Sequence, residues 1–113
     1  MHELSIALNI LDIVRETCQE ENASSVVEVT LRIGDLSGVD TEALTTCLHI
    51  ASRGSLMQHA RISIIRQQGL GWCACCNSSF PMKDILAPCP VCLHSASEFL
   101  EGRELRLESI LAE

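Results

Sequence analysis

Basic residues are scarce in this 113-residue chain, which has 8 Lys and Arg against 15 Asp and Glu and a formal net charge of −7. Affinity for the nucleic-acid backbone comes largely from Lys and Arg that displace its counterions. The basic residues are also scattered along the chain rather than clustered. The sequence therefore predicts no nucleic-acid partner.

Export and membrane signals are absent as well. The chain opens Met1-His2-Glu3, with an acidic residue where a secretory signal needs basic ones. No apolar run approaches the ~18 residues of a transmembrane helix. Seven cysteines, an odd number, fit a reducing compartment better than a disulfide framework. We expect a soluble, cytoplasmic protein without a membrane partner.

Four of the cysteines form two CxxC pairs, Cys73 with Cys76 and Cys89 with Cys92, and twelve residues separate the pairs. A tetrahedral Zn²⁺ site needs four thiolates about 2.3 Å from one ion, and each CxxC turn offers two sulfurs on one side. The spacing predicts a structural zinc site. The alternatives are two disulfides or buried unpaired thiols.

The spacing of apolar residues predicts two helices and three strands. Asn22 marks the end of the first helix, Asp40 is a suitable N-cap for the second, and Gly34 closes the first strand. In chain order the predicted elements are a helix at 4–20, a strand at 27–33, a helix at 40–54, and strands at 61–66 and 104–108. The predicted inward residues of the first helix are Leu4, Ala7, Leu8, Leu11 and Val14, with Ile6, Ile10 and Ile13 widening the apolar face. Those of the second helix are Leu44, Cys47, Leu48 and Ala51, and those of the first two strands are Val27, Val29, Leu31, Ile33, Ile62 and Ile64.

This order predicts an α+β fold, in which two helices cover a small three-stranded sheet and a four-cysteine, zinc-ribbon-like module is inserted before the last strand. We expect residues 1–68 and 100–113 to form an α/β domain and residues 69–99 to form the zinc module. A segment as short as 69–99 cannot bury enough apolar surface to fold alone, so zinc would supply much of its folding free energy. Gly69-Leu70-Gly71 leads into a cysteine pair rather than a helix, which predicts a hinge and not a phosphate-binding loop.

The first three residues allow two interpretations. Residues before a helix are usually frayed, and His2 would then be an ordinary exposed side chain. Alternatively, an α-amine, the next backbone amides and an imidazole at position 2 can surround one ion with nitrogens, which suits Ni²⁺ or Cu²⁺. Glu3 could add a carboxylate or could simply favour the first helical turn.

Other candidate ligands have structural explanations that we prefer. Cys75 adjoins Cys76, and neighbouring thiolates cannot readily both turn onto one tetrahedral ion, so we interpret Cys75 as a bystander. The rest are a helix cap, two apolar cysteines and two surface histidines, namely Asp40, Cys18, Cys47, His49 and His59.

Four features together resemble the HypA/HybF family of nickel-insertion proteins for hydrogenase maturation. They are MHELS at residues 1–5, RIGDLSGV at 32–39, the paired CxxC motifs with Pro90 inside the second, and GRELRLESI at 102–110. The match covers nearly the whole chain. CxxC pairs occur in many zinc proteins, but their combination with an N-terminal Met-His-Glu is much more specific.

The resemblance implies a metallochaperone rather than an enzyme. It implies a nickel site made of the Met1 amine, the backbone amides at His2 and Glu3, and the His2 imidazole. It implies a structural zinc site made of Cys73, Cys76, Cys89 and Cys92. The implied partners are an accessory GTPase, which assists Ni²⁺ delivery, and the [NiFe]-hydrogenase large-subunit precursor. In some organisms a urease accessory protein is a further partner.

Two departures accompany this resemblance. Relatives often carry aromatic residues in the second helix, where this chain has Thr45-Thr46-Cys47-Leu48-His49. Some relatives place a histidine directly after a zinc knuckle, but here Leu93 separates Cys92 from His94. That separation argues against a role for His94 in exchanging with zinc ligands.

Two rival functions remain for the cysteine motifs. A thiol-disulfide oxidoreductase would use Cys89-Pro90-Val91-Cys92 as a redox pair, which needs a sulfur activated at a helix N-terminus. The following residues show no helical stripe. A zinc-ribbon nucleic-acid-binding protein is disfavoured by the acidic composition.

Overall fold

The computed structural model describes residues 2–113 and divides them into two units. The first, here called the helical unit, comprises residues 2–31, Val39–Ile64 and Leu107–Glu113. The second, here called the cysteine unit, comprises Arg32–Gly38 and Ile65–Arg106. Both CxxC pairs belong to the cysteine unit, whereas His2 and Glu3 belong to the helical unit.

The first helix, α1, spans Glu3–Glu20 and buries one stripe of apolar residues, Ala7, Ile10, Val14 and Cys18. The predicted apolar face is wrong at Leu4, Leu8 and Ile13, which are 51%, 48% and 48% exposed. Apolar residues surround much of this helix, so their spacing alone fits more than one stripe. The buried stripe carries the small residues Ala7 and Cys18, which allow a close approach to a neighbouring helix.

That neighbour is the second helix, α2, which spans Thr41–Ala51 and packs against α1. The Asp40 carboxylate accepts hydrogen bonds from the backbone N–H groups of Glu42, at 3.0 Å, and Ala43, at 3.1 Å. The first N–H groups of a helix have no acceptor within the helix, so this contact confirms Asp40 as the predicted cap. Among the described residues, no helix has the length and apolar composition needed to cross a membrane.

Six strands form two sheets. They are β1 (Val26–Gly34), β2 (Arg61–Gln67), β3 (Gly69–Cys73), β4 (Ser78–Met82), β5 (Glu98–Glu101) and β6 (Leu105–Ala112). The first sheet has the order β2-β1-β6 and is the three-stranded sheet that the sequence predicts. Each of its strands has residues in both units.

The central strand, β1, is buried as predicted at Val29, Leu31 and Ile33. The prediction is wrong at Val27, which is 39% exposed, because the preceding residue Val26 is buried instead. The alternation is interrupted at the start of the strand, where the backbone N–H of Val26 donates to the carbonyl of Leu56 at 3.1 Å. Because residues 26 and 27 are both valine, the sequence alone does not indicate which of the two is buried.

The second sheet, of order β4-β3-β5, lies within the cysteine unit, and the sequence did not predict it. β3 pairs antiparallel with β4, from Gly69 opposite Met82 to Cys73 opposite Ser78. The predicted hinge is therefore wrong, because Gly69 and Gly71 belong to a paired strand. A side chain at Gly71 would meet the Met82 sulfur, and one at Gly69 would meet the Met82 carbonyl, so both positions need glycine for close packing.

Candidate metal centres

The strand β3 and the hairpin that follows it position the first cysteine pair. Cys73 is the last residue of β3, and Asn77, with φ of +54°, completes the turn into β4. The backbone N–H of Cys76 donates to the Cys73 sulfur at 3.3 Å, which holds both thiols on one side of the turn. The second pair, Cys89 and Cys92, lies in the segment between β4 and β5.

The two pairs meet to form one four-sulfur group. All four sulfurs lie within 4.8 Å of one another. The Cys73 and Cys92 sulfurs are 3.4 Å apart, and the Cys76 and Cys89 sulfurs are 3.9 Å apart. A tetrahedral ion with Zn–S bonds of about 2.3 Å requires sulfurs about 3.8 Å apart. The donor set therefore fits a zinc ion.

The alternative of two disulfides does not describe this group. Bonded sulfurs lie about 2.05 Å apart, well below the separations seen here. All seven cysteines of the chain are free thiols in the structure. Of the four, Cys73 and Cys89 are buried at 1% and 2% exposure, within a core that also contains Leu36, Phe80 and Met82. A buried set of thiols on two turns is typical of a closed structural metal site.

Two thiols of this group, Cys89 and Cys76, have pKa values shifted in opposite directions. Hydrogen bonds from the backbone N–H groups of Cys92 and Val91 lower the pKa of the Cys89 thiol to about 7. A hydrogen bond with the Cys92 sulfur, followed by burial, raises the pKa of Cys76 to about 12. The backbone N–H donors thus favour the thiolate at Cys89, whereas the neighbouring sulfur and burial favour the protonated thiol at Cys76.

The predicted nickel ligands lie at the start of α1. Met1 lies outside the described residues. His2 occupies the N-cap position and is exposed, and its side chain makes no capping hydrogen bond. Its backbone carbonyl accepts the Ile6 N–H at 3.0 Å, which closes the first helical turn. Because α1 begins at Glu3, the amides at positions 2 and 3 are among those that a helix leaves without an internal acceptor.

Glu3 is buried, in contrast to the exposed His2. It is only 6% exposed, and its carboxylate accepts the backbone N–H of Asp40 at 3.2 Å. The sequence left open whether Glu3 donates a carboxylate to a metal or simply favours the helix. In the structure this carboxylate bonds to the residue that caps α2, so it connects the starts of the two helices.

The remaining candidates are placed as follows. Cys18 is buried, which confirms that it behaves as a small hydrophobe, and Cys47 is half-buried. His49 and His59 are exposed. The separation by Leu93 did not keep His94 away from the cysteines, since its imidazole lies beside the Cys75 and Cys92 sulfurs. No sequence pattern predicts the grouping of Cys75, Cys92 and His94, because it depends on the backbone conformation of Leu93.

The second CxxC pair does not have the setting of a redox motif. Its residues form a turn, and the chain continues without helix through residues 93–97. Backbone N–H groups lower the pKa of Cys89 without a helix N-terminus, but the Cys89 sulfur converges with the sulfurs of the other pair and lies 3.9 Å from that of Cys76. The pair therefore fits metal ligation better than disulfide exchange.

Comparisons with known proteins agree with these features. A family model described as hydrogenase/urease nickel incorporation, metallochaperone, hypA matches residues 1–112. The hydrogenase maturation factor HypA of Parabacteroides distasonis is 42% identical over 111 residues, covering 98% of this chain and 96% of that protein. The corresponding factor of Dechloromonas aromatica is 38% identical over 110 residues, covering 97% of each.

Solved structures give the same fold. The solution structure of the Ni metallochaperone HypA from Helicobacter pylori matches with a TM-score of 0.67 over 99% of this chain and 97% of that one, at 22% identity. A second solution structure of a HypA protein matches with a TM-score of 0.70 over 100% of this chain and 97% of that one, also at 22% identity. At this identity the likeness establishes the α+β fold.

Proposed function

Because the chain belongs to the HypA family, we propose that it is a nickel metallochaperone, which binds Ni²⁺ at its N-terminus and delivers it during maturation of [NiFe]-hydrogenase. The observation that carries this proposal is the Met-His-Glu start joined to α1 in a chain that matches the family model over residues 1–112. The helical unit would hold the nickel and the cysteine unit the zinc.

The proposed nickel ligands are the Met1 amine, the backbone amides at His2 and Glu3, and the His2 imidazole. Two observations on the described ligands support this set. The His2 residue is exposed, and both amides lie where α1 supplies no internal acceptor. The backbone N–H of Glu3 is hydrogen-bonded to the Glu3 carboxylate, and nickel binding would replace that contact. A set of four nitrogens suits the tetragonal preference of Ni²⁺.

Glu3 has a separate part in this proposal. Its carboxylate is bonded to the Asp40 N–H, so we assign it the positioning of residue 3 rather than metal ligation. The first turn of α1 is thereby held against the start of α2. A chelate made from consecutive backbone nitrogens depends on such fixed geometry, because its donors cannot be moved independently.

We propose Zn²⁺ as the structural ion of the cysteine unit, held by Cys73, Cys76, Cys89 and Cys92. The sulfur separations fit its bond length, and two of the sulfurs lie in the core of the unit. Thiolate and nitrogen sites select different ions, because soft thiolates retain zinc while the nitrogen set favours nickel. The transported nickel ion and the structural zinc ion would therefore occupy separate binding sites.

The proposed partners are an accessory GTPase and the large-subunit precursor of a [NiFe]-hydrogenase. A urease accessory protein is a further partner, in line with the urease role in the family's description. We propose a cytoplasmic location and no catalytic activity, since delivery of an ion requires binding and release alone.

Hydrogenase activity in the source organism tests this function. Replacement of His2 by Ala should lower [NiFe]-hydrogenase activity, and excess nickel in the medium should restore part of it because delivery is then bypassed. The matched control is His59→Ala, which removes an exposed imidazole far along the chain. Full hydrogenase activity in the His2→Ala strain at limiting nickel would contradict the proposal.

A further inference from the structure

Cys75, Cys92 and His94 form a second group of metal-ligating side chains beside the four-cysteine site. Their two sulfurs and one imidazole nitrogen lie within 4.8 Å of one another. Cys75 and His94 are exposed, whereas Cys92 is half-buried and belongs to both groups. This second group therefore shares one sulfur with the first and opens to solvent.

A defined turn brings His94 to this position. Leu93 has φ of +65°, a left-handed conformation that is unusual for a side chain of its size. Two backbone hydrogen bonds hold it there: the Leu93 N–H donates to the Cys89 carbonyl at 2.8 Å, and the Cys89 N–H donates to the His94 carbonyl at 2.9 Å. The chain thus folds back on the second CxxC pair, and the histidine has a fixed backbone.

The first knuckle supplies the other exposed donor. Cys75 lies one residue before Cys76, and its sulfur lies within 4.8 Å of the Cys92 sulfur and a His94 ring nitrogen. This placement explains how two neighbouring cysteines can both bind metal. Cys75 and Cys76 would then serve different ions instead of competing for one.

Charge favours a second cation here. One Zn²⁺ bound by four thiolates keeps an excess of two negative charges, and a thiolate that binds one ion retains lone pairs for another. Two thiolates and an imidazole form a borderline-soft donor set, which suits Zn²⁺ and similar ions. Three protein ligands leave one position for water, as in zinc sites whose ion remains accessible.

We propose that Cys75, Cys92 and His94 bind a second thiophilic divalent cation of the Zn²⁺ class, with the Cys92 sulfur bridging it to the ion of the four-cysteine site. This ion is exposed and held by fewer ligands, so it exchanges more readily than the first. The proposal concerns only the cysteine unit and stands independently of nickel delivery.

Titration of the full chain with Cd²⁺, a thiophilic stand-in for Zn²⁺, tests this site. The thiolate-to-cadmium absorption should rise over two successive equivalents, and alkylation of Cys75, read by mass spectrometry, should slow sharply during the second. In Cys75→Ser and in His94→Ala the absorption should saturate after one equivalent. In His94→Ala, Cys75 should also stay open to alkylation.

The matched controls are Cys47→Ser and His59→Ala, which remove a thiol and an imidazole from the helical unit. Both should keep two sulfur-bound equivalents. The proposal is overturned if the unaltered chain saturates after one equivalent with Cys75 fully reactive. It is equally overturned if the second equivalent persists unchanged in Cys75→Ser and His94→Ala.

Discussion

The Glu3 carboxylate accepts the backbone N–H of Asp40 at 3.2 Å, and so connects the first residue of α1 to the cap of α2. The same Asp40 uses its own carboxylate to satisfy the first N–H groups of α2. Two acidic side chains thus fix the two helix starts in one arrangement, which holds the proposed nickel ligands at positions 2 and 3.

Removing this contact should loosen the first turn of α1. In Glu3→Ala, the buried acceptor is lost, and we expect the midpoint of thermal unfolding to fall by roughly 2–8 °C. Nickel affinity should fall with it, because the backbone donors become less ordered. In Glu3→Gln, the amide oxygen can still accept the Asp40 N–H, so both losses should be small. Differential scanning calorimetry and nickel titration of both variants make the comparison. Equal behaviour of the alanine and glutamine variants would contradict the positioning role.

Loss of one zinc ligand should unfold the cysteine unit selectively. In Cys89→Ser, zinc content should fall and the amides of residues 69–99 should lose protection from hydrogen exchange, since the proposed zinc ion would supply folding free energy there. The buried stripe of α1 does not involve the metal, so the amides of α1 and α2 should stay protected. Cys75→Ser is the matched control, because Cys75 is not one of the four ligands and this variant should keep the structural zinc. Native protection of residues 69–99 in a zinc-depleted Cys89→Ser protein would show that the metal is not needed for the fold.

Capture of zinc by the metal-free protein should depend on pH through Cys89. A thiolate binds the ion and a thiol does not, and the backbone N–H groups of Cys92 and Val91 lower the pKa of Cys89 to about 7. The direction of this shift makes the thiolate available at a lower pH than for an ordinary cysteine. The rate of zinc association, followed by stopped-flow with a zinc indicator, should therefore begin to rise near pH 7 and should keep rising at higher pH, where Cys76, whose pKa is raised, also loses its proton. A rate that stays flat until the ordinary thiol value of about 8.5 would contradict this role for Cys89.

Strong periodicity explains what the sequence predicts well. The helices at Glu3–Glu20 and Thr41–Ala51 and the strand at Val26–Gly34 have apolar residues at regular intervals. The buried face of α1 is harder to predict from the sequence, because Leu4 and Leu8 fit a helical stripe as well as Ala7 does. Burial against α2, a tertiary effect, decided between them.

The sheet of the cysteine unit could not be predicted in the same way. Its strands have four or five residues each, and they include Gly69, Gly71 and Pro81, which individually disfavour strands. Pairing with neighbouring strands and packing around the cysteines stabilise them instead. The CxxC spacing was nevertheless sufficient to identify the four sulfurs, since it encodes the geometry of the ion directly.

The grouping of Cys75 with His94 shows the limit of spacing arguments. In an extended chain, Leu93 would hold Cys92 and His94 about 6.6 Å apart along the strand, with both side chains on one face. Its left-handed φ of +65° reverses the chain and brings the imidazole back. The backbone preferences of leucine do not predict this conformation, because leucine rarely adopts it.

The central claim is that nickel is bound through the α-amine of Met1 together with position 2. Isothermal titration of the zinc-loaded chain with Ni²⁺ tests it directly, using the untagged chain and one extended by Gly-Ser ahead of Met1. The extension keeps every side chain, including His2, but converts the Met1 amine into a peptide nitrogen. His59→Ala serves as the control for nonspecific imidazole binding and should titrate like the untagged chain. We expect the untagged chain to bind one nickel ion and the extended chain to show no specific nickel binding, with zinc content unchanged in both. Equally tight binding of one nickel ion by the extended chain would contradict the amine-ligated site.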